Sequence, residues 1–209
     1  MKKENKKLVC GIGTNDLAYN TEKQIELGLT TPELRKKCLE AWNDRLKAQK
    51  EGRATVCTEW LTYSNFAQWW LDTHIENWCI DKDWLVAGNK EYSPNNCVWI
   101  PNKINTLMND GRKKNTGLPK GVSILQVKYK DKVYNYYQTK CNVNNVQKCT
   151  TFDTPHEAHR QWQQLKIEEI DNVIREYSFD YRLDGRVIQR LIKLRDKIQY
   201  HYDNNMETQ

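Results

Sequence analysis

The chain reads as an α+β protein, and three observations predict that class. Apolar residues recur at helical spacing over 32–50, 155–177 and 183–202. Strand-turn-strand patterns occupy 78–100 and 121–152. The polar run Asn109–Lys120 separates the two halves. The reading gives helices around a small strand-strand-helix unit over 1–110, a three-stranded antiparallel sheet with one packed helix over 111–180, and an amphipathic helix and tail over 181–209. With 209 residues, 38% hydrophobic and including 8 Trp and 11 Tyr, each half has material for a core.

A net charge of +6 permits a polyanionic partner without specifying one. No apolar run is long enough to span a bilayer and no signal-peptide pattern follows Met1, so a cytoplasmic protein with no membrane partner is expected. Seven cysteines, an odd number without a CxxC pair, predict free thiols in a reducing compartment and no zinc site. His156 and His159 lack the spacing of a zinc-binding helix and read as surface polar residues.

Each element has its own local signal. Gly11 and Gly13 mark a strand and glycine turn within Leu8–Asp16, without the third glycine and helix of a phosphate loop. Thr31 and Pro32 are an N-cap and first helical residue, opening a helix to about Lys50 on Leu34, Cys38, Leu39, Trp42 and Leu46. A second helix is expected over 56–70, its start marked by Ser64-Asn65 or a little earlier, with Trp60, Leu61, Phe66, Trp69 and Trp70 as its core face. After the linker, strands are expected over 121–129 and 133–140 and ending near Phe152. Thr154, Pro155 and Glu157 then form a capping box for the long helix. The final helix carries Leu183, Val187, Ile188, Leu191, Leu194 and Ile198 on one side, to be buried on its own domain or on a second copy; Asp203–Gln209 reads as a polar tail.

The stretch Trp78–Asn105 concentrates the chemistry. Asp81-Lys82-Asp83 ends its first strand, Gly88-Asn89 and Ser93-Pro94-Asn95-Asn96 make turns, and Cys97-Val98-Trp99-Ile100 forms the second strand. This pattern resembles the ββα-metal (His-Me finger, HNH) nucleases, in the form carried by small phage proteins with an accessory DNA-binding domain. Asp81-Lys82 stands where Asp-His is usual, and Asn96-Cys97-Val98-Trp99 where Asn-Leu-Arg-Trp is usual. Trp42, Val56-Cys57-Thr58-Glu59-Trp60-Leu61, Phe66 and Trp69 also follow the phage pattern in order.

The resemblance implies a metal-dependent DNA endonuclease whose Mg²⁺ or Mn²⁺ is held by Asp81 and Asn96, with Asp83 as a further ligand. Its usual histidine base is replaced by Lys82, and an ordinary lysine is protonated at neutral pH. His74 is the other candidate base.

The second half resembles the AP2 family, in which a three-stranded sheet enters the major groove with a helix behind it. Gly121-Val122 at the entry and Phe152-Asp153-Thr154-Pro155-His156-Glu157-Ala158 at the exit carry that resemblance, although the family's arginines on the first strand are replaced, with Ser123 and Leu125 at the corresponding positions. From Arg112 to Lys148 there are nine basic residues and one acid, Asp131. Arg112, Lys113, Lys114, Lys128, Lys130, Lys132 and Lys140, with Tyr134 and Tyr136, are the candidate contacts to double-stranded DNA. The alternative function on the same scaffold is a DNA-binding repressor without cleavage, and either fits a monomer or a homodimer.

Overall fold

The computed structural model describes residues 8–107 and 117–208. These form a mixed α+β chain that divides into two units, Met1–Ile100 and Pro101–Gln209. The sequence sets the division in the linker, whose residues 108–116, with Arg112, Lys113 and Lys114, lie outside the described residues. Among the described residues, no helix is long and apolar enough to cross a membrane.

In the first unit, helix α1 (Thr21–Leu27) precedes α2 (Pro32–Lys50), and the Thr31 hydroxyl accepts from the Leu34 N–H at 3.1 Å to start α2 where the sequence predicts. The expected helix over 56–70 is divided. Thr55–Val56 is a strand, β1, Thr58–Leu61 is a short 3₁₀ turn, and α3 covers Tyr63–Thr73. Local propensity loses here to pairing, because β1 runs parallel to β3 (Glu91–Tyr92), a segment whose sequence pattern reads as loop. Strand β2 (Trp78–Asp81) is hydrogen-bonded to β4 (Val98–Pro101).

Trp42, Trp60, Tyr63, Phe66 and Trp70 are all buried, and Ile80, Cys97 and Trp99 of the β2 and β4 segments join the same core. Two indole N–H groups are matched: Trp42 donates to the Trp60 carbonyl at 2.6 Å, and Trp99 to the Thr73 hydroxyl at 3.0 Å. Gly13 lies so close to α2 that a Cβ there would stand 2.3 Å from Leu46. The glycine turn serves close packing.

The second unit opens with α4 (Asn102–Leu107) and continues with β5 (Val122–Tyr129), β6 (Lys132–Val143) and β7 (Val146–Phe152), an antiparallel sheet in sequence order. The turn between β6 and β7 is Asn144-Asn145, both left-handed, the two-residue form that suits a twisted hairpin. Helix α5 (Pro155–Tyr177) packs across β6, and α6 (Gly185–Asp203) packs on α5 through Val187, Leu191 and Ile198.

The side of α5 that faces the rest of the unit is partly polar, and each polar group there holds another segment. His159, Gln163, Lys166 and Glu169 are all buried. Lys166 donates to the Leu107 carbonyl at 2.7 Å, and Glu169 accepts from the Asn144 N–H at 2.8 Å. Gln163 donates to the Met206 carbonyl and to the Thr208 hydroxyl. His159 donates from Nδ1 to the Lys120 carbonyl at 2.7 Å and accepts at Nε2 from the Thr208 N–H at 2.9 Å. Two sequence expectations are therefore corrected. His159 is not a surface residue, because a neutral ring with both nitrogens bonded is stable in the interior, and the tail is anchored at Thr208, which is 5% exposed.

Burial holds the His159 imidazole below its ordinary pKa. The folded state favours the neutral ring, so this bond set is complete above the ordinary histidine value and is lost as pH falls through the lowered one. The Thr208 amide is expected to lose hydrogen-exchange protection over that window before the rest of α5, with the dependence removed in His159→Gln. Gly121→Ala is expected to cost roughly 2–3 kcal/mol in urea unfolding. Gly121 has φ +78°, and a Cβ there would meet the Trp162 ring at 2.1 Å.

Candidate functional site

The turn after β2 is organised by Asp81. Its Oδ1 accepts from the N–H groups of Asp83 at 2.8 Å and Trp84 at 2.9 Å, so one carboxylate oxygen shapes the chain reversal. The Asp81 carboxyl is pushed up to about 6, first by burial and then by a hydrogen bond to the Asp83 carboxyl. Two acids in contact share a proton more readily than both carry charge.

Lys82 lies between an anion and an aromatic face. Its Nζ is 3.7 Å from Asp83 Oδ2 and 5.4 Å from the centre of the Tyr92 ring. Asn89 braces the loop by donating to the carbonyls of Lys82 and Glu91, both at 2.8 Å.

Asn96 precedes β4, the strand bonded to β2, and the Asp81 charge acts on its neighbour Cys97. The two side chains nevertheless bond different partners. Asn96 donates to Glu91 Oε2 at 3.4 Å, whereas Asp81 holds its own turn.

His74 stacks on Trp70 at 4.0 Å, meets the Trp99 ring edge-on at 5.0 Å, and has Nε2 3.7 Å from Glu76. Burial lowers its pKa. It is thus a neutral imidazole in an aromatic slot, and none of these contacts reaches the Asp81 turn. The structure joins Asp81, Lys82 and Asp83 in one turn, and leaves Asn96 and His74 with contacts of their own.

Among the described residues, no group of three His, Cys, Asp or Glu side chains stands close enough to hold a metal. All seven cysteines are free thiols.

The sheet gives a second candidate surface. Thr139, Cys141 and Val143 of β6 are buried, the last two in a cluster with Trp162 and Leu165 of α5. Strand alternation then puts Lys132, Tyr134, Tyr136 and Lys140 on the opposite, open face. Register adds Leu125, Val127 and Tyr129 from β5 and Gln147, Cys149 and Thr151 from β7. No strand residue on this face is a carboxylate. Lys130 lies in the adjoining turn, with its Nζ 5.5 Å from the Tyr129 ring centre.

Lys128 departs from the expected set. It pairs with Val133 and so belongs to the side of the sheet that carries α5. Lys148 is on that side too, bonded to Glu168 at 3.0 Å. A charge count along the sequence includes both, because it ignores the two-residue period. Tyr129, Gln138 and Asn142, which such a count passes over, share the open face and were legible from strand alternation alone.

Asp81→Asn tests the carboxyl pair. A raised carboxyl pKa means that the folded state holds the proton more tightly, so stability is full near pH 4 and falls as pH rises through about 6. The substitution is expected to flatten that fall and to stabilise the protein at neutral pH in thermal melts, because an amide oxygen still accepts from the Asp83 and Trp84 N–H groups. No protein-family model matches the chain, and neither the curated proteins nor the solved structures provide a match.

Proposed function

We propose that this protein binds double-stranded DNA through the open face of its three-stranded sheet, in the manner of the AP2-like domains its second half resembles. The observation that carries the reading is the arrangement of Lys132, Tyr134, Tyr136 and Lys140 on one uncovered face without a strand carboxylate. Lysines neutralise phosphates and release counterions, which gives affinity without sequence preference. Gln138 and Asn142 on the same face are amides of the kind that read adenine edges, where the AP2 family uses arginine. Replacing Lys132 and Lys140 together by Ala is expected to weaken duplex binding and reduce its log–log salt slope by about 1–2, roughly 0.9 for each phosphate no longer neutralised. Lys128→Ala is expected to leave the slope unchanged in the same fluorescence-anisotropy titration.

A second reading, metal-dependent phosphodiester cleavage of the HNH type, is favoured by the hydrogen bond between the Asp81 and Asp83 carboxyls. A divalent cation takes the place of a proton shared by two acids. Two carboxylates fit the oxygen-donor chemistry of Mg²⁺, which leaves further positions to water and phosphate. The bound ion would supply charge neutralisation at the scissile phosphate. Asp81 and Asp83 would hold it, and Lys82 would pair with a phosphate oxygen from beside Asp83. Mg²⁺ is expected to raise the melting temperature of the native protein at neutral pH and not that of Asp81→Asn. Asp81→Ala is expected to abolish Mg²⁺- or Mn²⁺-dependent nicking while leaving duplex affinity nearly intact. Duplex binding with no cleavage under either metal would leave the repressor-like function in its place.

A further inference from the structure

Arg45 lies on α2 one turn beyond Trp42, among residues that form the first unit's core; it is half-buried, with its Nε enclosed. A buried guanidinium is ordinarily matched by a carboxylate or a set of carbonyls. Here Nη1 donates to the Ala41 carbonyl at 2.8 Å, Nε is buried without an acceptor, and the Tyr92 ring centre is 5.5 Å from Cζ. Among the described residues no carboxylate stands within ion-pair distance of Arg45, and of its five N–H donors only one has a protein acceptor there.

Beside it opens a depression of ≈ 340 Å³ lined by Arg45, Asp44, Lys47, Glu51, Arg53 and Tyr92. Glu51 is already engaged, 2.7 Å from Arg53 and 4.0 Å from Lys47. Asp44, the other carboxylate of the lining, acts on Arg45 from beyond ion-pair distance, so Arg45, Lys47 and Arg53 face two carboxylates and the lining keeps an excess of positive charge. Tyr92 connects this depression to the Asp81 turn, because the Lys82 ammonium and the Arg45 guanidinium both lie within cation–π distance of its ring.

We propose that this depression is an anion site that takes a phosphate group, with Arg45 as its principal donor and Arg53 and Lys47 at its rim. A guanidinium offers paired N–H groups that match two phosphate oxygens. Lys47 and Arg53 add charge at the mouth without the desolvation that Arg45 has already undergone. The phosphate comes either from a nucleic-acid backbone or from a free phosphate-bearing small molecule, and the experiment separates the two.

The intact protein is titrated with inorganic phosphate and followed by NMR of arginine side-chain Nε–Hε and backbone amide signals. Saturable shifts of Arg45, Arg53 and Tyr92 are expected, and they are lost in Arg45→Gln. Because that variant removes a buried contact, Glu51→Gln is the companion. It removes a negative charge from the lining and is expected to tighten phosphate binding several-fold, a gain that misfolding does not mimic. No shift at Arg45 in the native protein, or no tightening in Glu51→Gln, overturns the site.

Duplex DNA then assigns the source. A salt slope lower by about 1 in Arg45→Gln identifies a backbone phosphate. An unchanged slope with phosphate binding intact assigns the site to a small molecule. If phosphate saturates the site while the native protein binds no duplex, the DNA-binding function fails and the phosphate site stands.

Discussion

The second unit depends on one constraint: α5 buries polar side chains along with apolar ones, and His159, Gln163, Lys166 and Glu169 are each tied to another segment, although Gln163 Oε1 and Asn172 Nδ2 are left without a partner among the described residues. An unmatched buried polar group costs about 1–3 kcal/mol, so His159, Gln163, Lys166 and Glu169 are tolerated only because their partners are held at hydrogen-bond distance. Their partners, backbone groups apart from the Thr208 hydroxyl, belong to α4, the β6–β7 turn, the residues just before β5 and the tail. Each bond therefore fixes a segment that has little apolar surface of its own. The same arrangement keeps one face of the sheet covered and leaves the other open, since a single helix spans only one side.

The first unit solves a different problem. Its strands are short, two to four residues each, and a two-stranded sheet of that length has no independent stability. Stability comes from the tryptophan cluster of α2 and α3, with Trp60 packed edge-on against Phe66 at 5.1 Å and Trp69 stacked over Trp99 at 6.2 Å. Trp99 belongs to β4, so the rings that build the core also set the strand beside which the Asp81 turn is formed. His74 sits in this cluster as one more ring, and its position follows from packing against Trp70 and Trp99.

Much of this was legible in the sequence where a local rule decides the outcome. Thr31-Pro32 and Thr154-Pro155 start helices because a hydroxyl cap and a fixed φ act within one turn. The first hairpin of the sheet follows from the tight turn after Tyr129. What escaped was decided by distant partners. Val56 is helical by its neighbours and a strand by its pairing with Tyr92. His159 and Thr208 are separated by 49 positions, and nothing around either announces the other. Lys128 counts with the other lysines until the register sets its face. Arg45 carries a local signal of its own: it stands three residues after Trp42 and one before Leu46, so a charged residue is drawn towards the core.

The electrostatics of the Asp81 turn follow from this mixture of burial and partial pairing. Burial alone would neutralise both acids, and full exposure would leave both charged and the turn indifferent to pH. Instead the Asp81 oxygen is committed to two backbone N–H groups, while its carboxyl contacts Asp83, and Asp83 in turn has the Lys82 ammonium at 3.7 Å. The pair therefore keeps a proton up to about pH 6. A turn with this charge balance gains from any added positive charge, whereas the Arg45 guanidinium, which has no carboxylate within ion-pair distance among the described residues, gains from an added negative one. The Tyr92 ring lies within cation–π distance of both the Lys82 ammonium and the Arg45 guanidinium, so one aromatic side chain links the acid-rich turn to the depression.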